Sequence, residues 1–246
     1  SNTRAYCRIV SEKWSDQEPW FGMEQEYTLL RNGKPLGFPA VGEPAPQGDY
    51  YCSAGSSRAF GREVAEFHLK ACLTAGLDIS GINAEVCPGQ WEYQIGPRDP
   101  LTVGDQMWIA RYIMERVTEY YKVDASWDGK PISGDWNGAG CHTNFSTKIM
   151  RESFEECMKA VKALGTNVQA HIENYGYGIK DRLTGDHETC SYKEFKFGVS
   201  DRTASIRIPW QVAKNEGGYI EDRRPNANCD PYKVTSLIVE TVCSQM

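Results

Sequence analysis

Residues 19–30 read PWFGMEQEYTLL, and the fold follows from how this stretch is phased. As a strand, it places Phe21, Met23, Tyr27 and Leu29, together with Gln25, on one face and Glu24, Glu26 and Thr28 on the other. The first face is suited to burial. The second carries two carboxylates about 7 Å apart, which repel one another unless water screens them or a cation sits between them. For one such pair, a half-exposed strand with a solvated acidic face is the ordinary explanation. The rest of the chain repeats the pattern.

In INAEVCPGQWEYQI, Glu85 lies opposite Ile82, Ala84 and Val86, and beyond Pro88-Gly89 the residues Gln90, Glu92 and Gln94 lie opposite Trp91, Tyr93 and Ile95. His142, Asn144 and Ser146 share a face of CHTNFS. Ser205 and Arg207 oppose Ala204, Ile206 and Ile208, and Tyr219, Glu221 and Arg223 share a face of YIEDRRP. Several strands, each apolar on one side and polar on the other, predict an α+β fold. Its sheet is curved and largely antiparallel, with helices on one face and a polar cavity on the other.

Helices are predicted between the strands. One runs from Ser56 or Ser57 to Leu77 with an apolar stripe of Phe60, Val64, Phe67, Ala71 and Leu73 and a Gly76 cap. A second runs from about Val103 to Val123 behind Thr102, striped by Met107, Ala110, Ile113, Met114 and Val117. Residues 152–164 and 167–175 read as an antiparallel pair, and 231–243 as a last helix started by Pro231. His68 and His171, on two of these helices, read as structural. Residues 1–18 form a leader segment with a short helix, and 19–246 one domain. The Pro- and Gly-rich segment after Leu30 reads as an ordered loop, because striped strands flank it on both sides.

At 246 residues, with 40% hydrophobic and 24% charged residues and a net charge of −6, the chain is an ordinary globular sequence. No basic stripe offers contacts to nucleic acid, and no apolar run suits a membrane. Nine cysteines without C-x-x-C spacing suggest free thiols in a reducing cytoplasm rather than disulfides or zinc.

Pooling the polar faces yields three groups. Glu24, Glu26, Glu85, Glu92 and Glu221 with His142 form an oxygen-rich set that suits Mg²⁺ or Mn²⁺. Arg182, Arg202, Arg207, Arg223 and Arg224 suit carboxylate and phosphate oxygens. The loop GDWNGAGCH, residues 134–142, brings main-chain amides within reach of an anion. From the residues alone the reading stops at a metal-dependent, nucleotide-using enzyme.

Five compound motifs carry it further: WFGMEQEYTL, NAEVCPGQWEYQIGP, NGAGCHTNFS, RLTGDHET and YIEDRRPNANCDPY. Together, and in this order, they resemble type II, eukaryotic-like glutamine synthetases from Trp20 to the chain end. The resemblance implies ATP-dependent joining of ammonia to the γ-carboxylate of L-glutamate through γ-glutamyl phosphate, in the cytoplasm, with two or more divalent ions. By motif it implies Glu26, Glu85 and Glu92 at one ion and Glu24, His142 and Glu221 at the other. It implies Asn137, Gly138, Arg182 and Arg223 at glutamate, Arg202 and Arg207 at the transferring phosphoryl group, and Glu188 as the flap carboxylate that deprotonates ammonium. Trp20, Gln94, Asn144, Ser146, Arg151 and Tyr219 fall where the family contacts ATP.

The family's small β-grasp domain, which lends an aspartate to the neighbouring subunit, has no counterpart here, so the chain reads as a catalytic domain alone. Full-length members form a double ring of pentamers, and the assembly of this chain stays open. Cys87 and Trp210 depart from the family pattern without removing a named ligand. The alternatives are a related γ-glutamyl-amine ligase and a non-catalytic, structural or ligand-sensing relative.

Overall fold

The computed structural model describes residues 2–245; Ser1 and Met246, the outer ends of the two expected segments, lie outside it. Helix α1 (Thr3–Lys13) and a 3-10 turn at Ser15–Gln17 lead into β1 (Trp20–Arg31), which turns back as β2 (Lys34–Pro35). There follow α2 (Arg62–Thr74), β3 (Ile79–Ala84), β4 (Gln90–Arg98), α3 (Pro100–Tyr121), β5 (Asp124–Ser126) and β6 (Cys141–Ser146). The last third holds α4 (Phe154–Leu164), α5 (Val168–Asn174), α6 (Ile179–Arg182), β7 (Phe197–Val199), β8 (Ile206–Ile208), α7 (Trp210–Asn215), β9 (Ile220–Asp222) and α8 (Pro231–Cys243).

The strands form one sheet in the order β3-β4-β1-β6-β9-β8-β7, with β2 and β5 also paired to β1. Every pairing is antiparallel except β7 with β8. This is the expected α+β architecture. Phe21, Met23, Tyr27 and Leu29 of β1 join Trp91, Tyr93 and Ile95 of β4 and Phe145 of β6 in the core, against Met107, Ala110 and Met114 of α3 and Val234, Ile238 and Val242 of α8. Gln25 shares that face and is buried without cost to hydrogen bonding. Its Oε1 accepts from Arg111 Nε and Nη2 (2.9 and 2.6 Å), and its Nε2 donates to two main-chain carbonyls.

Two helices begin where local chemistry dictates. Helix α3 starts at Pro100, two residues before the expected Thr102 cap, because Asp99 accepts from the amides of Leu101 and Thr102 and Pro100 has no donor to lose. Helix α2 starts at Arg62 rather than Ser56 or Ser57, behind Gly61 at φ +87°, where a Cβ would press on Leu29 Cδ1 at 2.6 Å. The new phase corrects the expected stripe. Val64, Ala65, His68 and Cys72 are buried, whereas Phe67 and Leu73 are exposed. Helices α4 and α5 fall where they were read, each packing on α8, and the last helix α8, capped by Asp230, starts at Pro231 as expected. All nine cysteines are free, eight of them buried. Among the described residues, no helix is long and apolar enough to cross a membrane.

Candidate active site

Sheet register assembles the site in three rows across the polar face. Asn83, Glu92 and Glu26 align across β3, β4 and β1. Two residues along β1, Gln94, Glu24 and His142 align across β4, β1 and β6. One row further on, Asn144, Glu221 and Arg207 align across β6, β9 and β8. The convergence that strand periodicity left open is thus a consequence of register.

The rows floor a basin lined by Glu24, Glu26, Glu85, Glu92, His142, Glu221, Asn137, Gly138, Arg182, Glu188, Arg202, Arg207 and Arg223. Beside it lies a largely apolar cavity of about 530 Å³ lined by Trp20, Gln94, Asn144, Ser146, Arg151 and Tyr219, and Glu24 belongs to both walls. That volume is in the range of small-molecule pockets. The geometry therefore gathers all the residues singled out from sequence into two adjoining spaces. Arg224 of the expected basic group is the exception. It lies on the opposite face, buried and paired with Asp222 at 2.7 Å, because adjacent strand residues point to opposite sides.

Ligand-atom geometry divides the acids into trios. Glu26, Glu85 and Glu92 have oxygens within 4.8 Å of one another, as do Glu24, Glu92 and His142. The first trio is the grouping expected from the motifs. In the second, Glu92 takes the place expected for Glu221, whose carboxylate is held by Arg207 and, at 2.7 Å, by Arg223. Glu221 Oε1 and Glu24 Oε2 both stand 3.6 Å from His142 Nδ1, so Glu221 borders the second trio.

The electrostatics are those of a cation site. Burial, then the neighbouring Glu26 charge, pushes Glu85 up to about 8, and burial raises Glu26 to about 7. Burial and the three surrounding carboxylates carry Glu92 well above the usual carboxylate range, and burial with Arg223 nearby holds His142 well below the ordinary imidazole value, as a neutral side chain. Among the described residues, Glu26, Glu85 and Glu92 have no ion-pair partner. They accept instead from Gly140 N (2.7 Å), Asn83 Nδ2 (2.9 Å) and Gln94. Buried, unpaired carboxylates that resist ionisation are what divalent cations relieve, so the residues present fit hard metal ions.

On the opposite rim, His187 and Glu188 have φ +52° and +58°. Glu188 Oε2 approaches Arg202 Nη1 at 3.9 Å, and its carbonyl accepts from Arg223 Nη2 at 3.5 Å. Arg182 spends its donors on the carbonyls of Arg223 and Arg224 (2.9 and 3.1 Å) and reaches His142 Nε2 at 3.3 Å. In the apolar cavity, the Arg151 guanidinium stacks on Trp20 at 3.9 Å.

Tyr51, Asn83, Gln90, His187 and Thr189 also line the basin, although the sequence reading gave them no role. Asn83 and Gln90 had a signal, the same two-residue parity as Glu85 and Glu92. Tyr51 lies in a loop without periodicity and had none.

The profile described as the glutamine synthetase catalytic domain matches residues 3–172. The glutamine synthetase of Streptomyces viridochromogenes is 59% identical, covering 100% of this chain and 72% of its own length. That of Frankia alni is 53% identical over 100% and 70%, and that of Homo sapiens 51% over 98% and 66%. On this similarity the chain belongs to the glutamine synthetase family.

Proposed function

We propose that basin and apolar cavity work as one bipartite active site, in which this catalytic domain joins ammonia to the side-chain carboxylate of L-glutamate using ATP. Family membership makes the chain a glutamate–ammonia ligase. The residue roles are the proposal. The observation that carries them is the junction at Glu24, through which a charged wall and an apolar wall become one cleft suited to a nucleotide.

Glu26, Glu85 and Glu92 would hold one Mg²⁺ or Mn²⁺, and Glu24, His142 and Glu221, with Glu92 alongside, the other. Bound there, the ions would neutralise phosphate charge. Trp20, Gln94, Asn144, Ser146, Arg151 and Tyr219 bind the nucleotide. Asn137, Gly138 and Arg223 orient glutamate, and Arg182 supports them by holding the Arg223 carbonyl. The γ-carboxylate oxygen attacks the γ-phosphorus of ATP, ADP leaves, and Arg202 and Arg207 balance the charge of the transferring group. Ammonium gives a proton to Glu188, and the resulting ammonia displaces phosphate from γ-glutamyl phosphate. A cytoplasmic setting, in keeping with nine free thiols and with a Medicago sativa relative named a cytosolic isozyme, and assembly into rings belong to the same proposal.

A calorimetric titration tests it. With Mn²⁺ present, a non-hydrolysable ATP analogue should bind, and L-glutamate should tighten it. Nucleotide binding that ignores both Mn²⁺ and L-glutamate would overturn the bipartite site.

A further inference from the structure

The loop between β2 and α2 carries Gln47, which makes contacts 90 and 140 residues away in sequence. Its amide is saturated. Oε1 accepts from the main-chain N–H of Asn137 at 2.6 Å and from Cys87 Sγ at 3.5 Å, while Nε2 donates to Asn137 Oδ1 at 2.8 Å and to His187 Nδ1 at 3.1 Å.

A main-chain N–H can only donate, so the oxygen of Gln47 must face Asn137 N, and the orientation of the whole amide follows. Its Nε2 then requires an acceptor on Asn137, which turns the Asn137 side chain so that Oδ1 is consumed. The Asn137 Nδ2 donors have no protein partner among the described residues, on a residue that lines the basin. By the same logic His187 must accept at Nδ1, which leaves its proton on Nε2, 3.0 Å from Asp135 Oδ1.

The two loops are joined a second time where Phe38 meets Trp136, ring centroids 5.5 Å apart. The flap needs an outside hold, since His187 and Glu188 both occupy the left-handed region that non-glycine residues avoid.

We propose that Gln47 is a positioning residue for the glutamate end of the site. One side-chain amide sets Asn137 to present donors rather than an acceptor to a substrate carboxylate, and pins the flap at His187 so that Glu188 is held over the basin. This role rests on the active-site reading given above. Without Gln47, Asn137 is free to turn its oxygen inward and the flap loses its tie to the glycine-rich loop.

The test compares the parent chain with Gln47→Met, which keeps the volume and removes the hydrogen bonds, and with Gln47→Ala. Amide hydrogen exchange should quicken about tenfold at residues 136–138 and 185–189 in both variants and stay unchanged in α3. L-Glutamate affinity in the presence of Mg²⁺ and an ATP analogue should fall about tenfold while analogue affinity holds. Adding His187→Ala to Gln47→Met should add little flap exchange. Parental exchange and affinity in Gln47→Met, or fast exchange spread across the chain, would overturn the role. A parent chain that takes up no L-glutamate would overturn the active-site reading and this role with it, whereas the exchange data report on the hold itself.

Discussion

Strand β9 and the residues after it face two networks in alternation. Glu221 and Arg223 look into the basin, whereas Asp222 and Arg224 lie beneath the sheet. The lower network is closed in charge, although Arg224 Nη1 has no hydrogen-bond partner among the described residues. Arg224 binds Asp222 at 2.7 and 2.8 Å, Asp222 accepts from Tyr175 OH at 2.8 Å, Tyr175 OH meets His171 Nδ1 at 2.5 Å, and His171 Nε2 meets Thr241 at 3.0 Å. The upper network is open. Its acids exceed their ion-pair partners, and three of them are held back from ionising. The lower set is buried and the upper one only in part, and both combine carboxylates, arginines and a histidine. The difference is charge balance within the chain: a balanced set serves the fold, and an unbalanced one is completed from outside.

The sharpest way to break this contrast is to remove one arginine from each network. Arg224→Met strands the Asp222 carboxylate in the interior and should cost about 3–5 kcal/mol of stability. Arg223→Met leaves Glu221 paired with Arg207 and should cost about 1 kcal/mol or less while abolishing ligation. Urea denaturation midpoints measure both. Equal losses would mean that the basin arginine is as structural as the buried one.

An acid from the open network should show the opposite sign. Glu85→Gln keeps the Asn83 hydrogen bond and removes a charge the interior resists, so the cation-free protein should gain on the order of 2 kcal/mol. The same variant should lose most of the stabilisation that Mn²⁺ gives the parent, about 2.7 kcal/mol at a hundredfold excess over Kd. A variant less stable than the parent without Mn²⁺, or equally stabilised by it, would show that Glu85 is a structural acid.

Much of this was legible in the sequence because strand parity is a strong constraint. Parity put Glu24 and Glu26, Glu92, His142 and Glu221 on the polar faces of their own strands, and register joined those faces. The same rule, applied at Arg223-Arg224, separates the two arginines; grouping them by type and proximity put Arg224 on the wrong side. In α2, hydrophobicity favoured Phe67 and Leu73 for the core, yet Gly61 sets a phase that buries His68 and Cys72 instead. Gln47 and Tyr51 left no trace, since loop contacts reaching 140 residues along the chain have no period to betray them. Short elements such as α6, α7 and β7 are set by tertiary contacts rather than by their own few residues.

The pH dependence of stability should separate the two networks most finely. Burial holds His171 of the closed network down to about 3, below the ordinary 6.5; His68 on α2, outside both networks, is held down to about 4, and His142 of the basin is also held low. Their contribution is complete above pH 6.5 and is lost as the pH falls toward those values. Glu26 and Glu85, raised to about 7 and about 8, act in the other direction. Their contribution is complete below about 4.5 and is lost as the pH rises through 7 and 8. Between pH 4.5 and 6.5 the slopes oppose one another, but from 6.5 to 8 only the carboxylates remain. The cation-free protein should therefore lose up to about 1.4 kcal/mol per proton for each pH unit in that interval, or about 2–4 °C of Tm for each kcal/mol. Saturating Mn²⁺, which requires the ionised acids, should remove the slope or reverse it, while the acid limb below pH 6.5 keeps the imprint of the histidines. Melting curves at pH 6.5, 7.2 and 8.0, with EDTA and with Mn²⁺, measure this directly. Parallel slopes in the two series would mean that the basin acids are already balanced by the chain itself, and the distinction between an open and a closed network would fall.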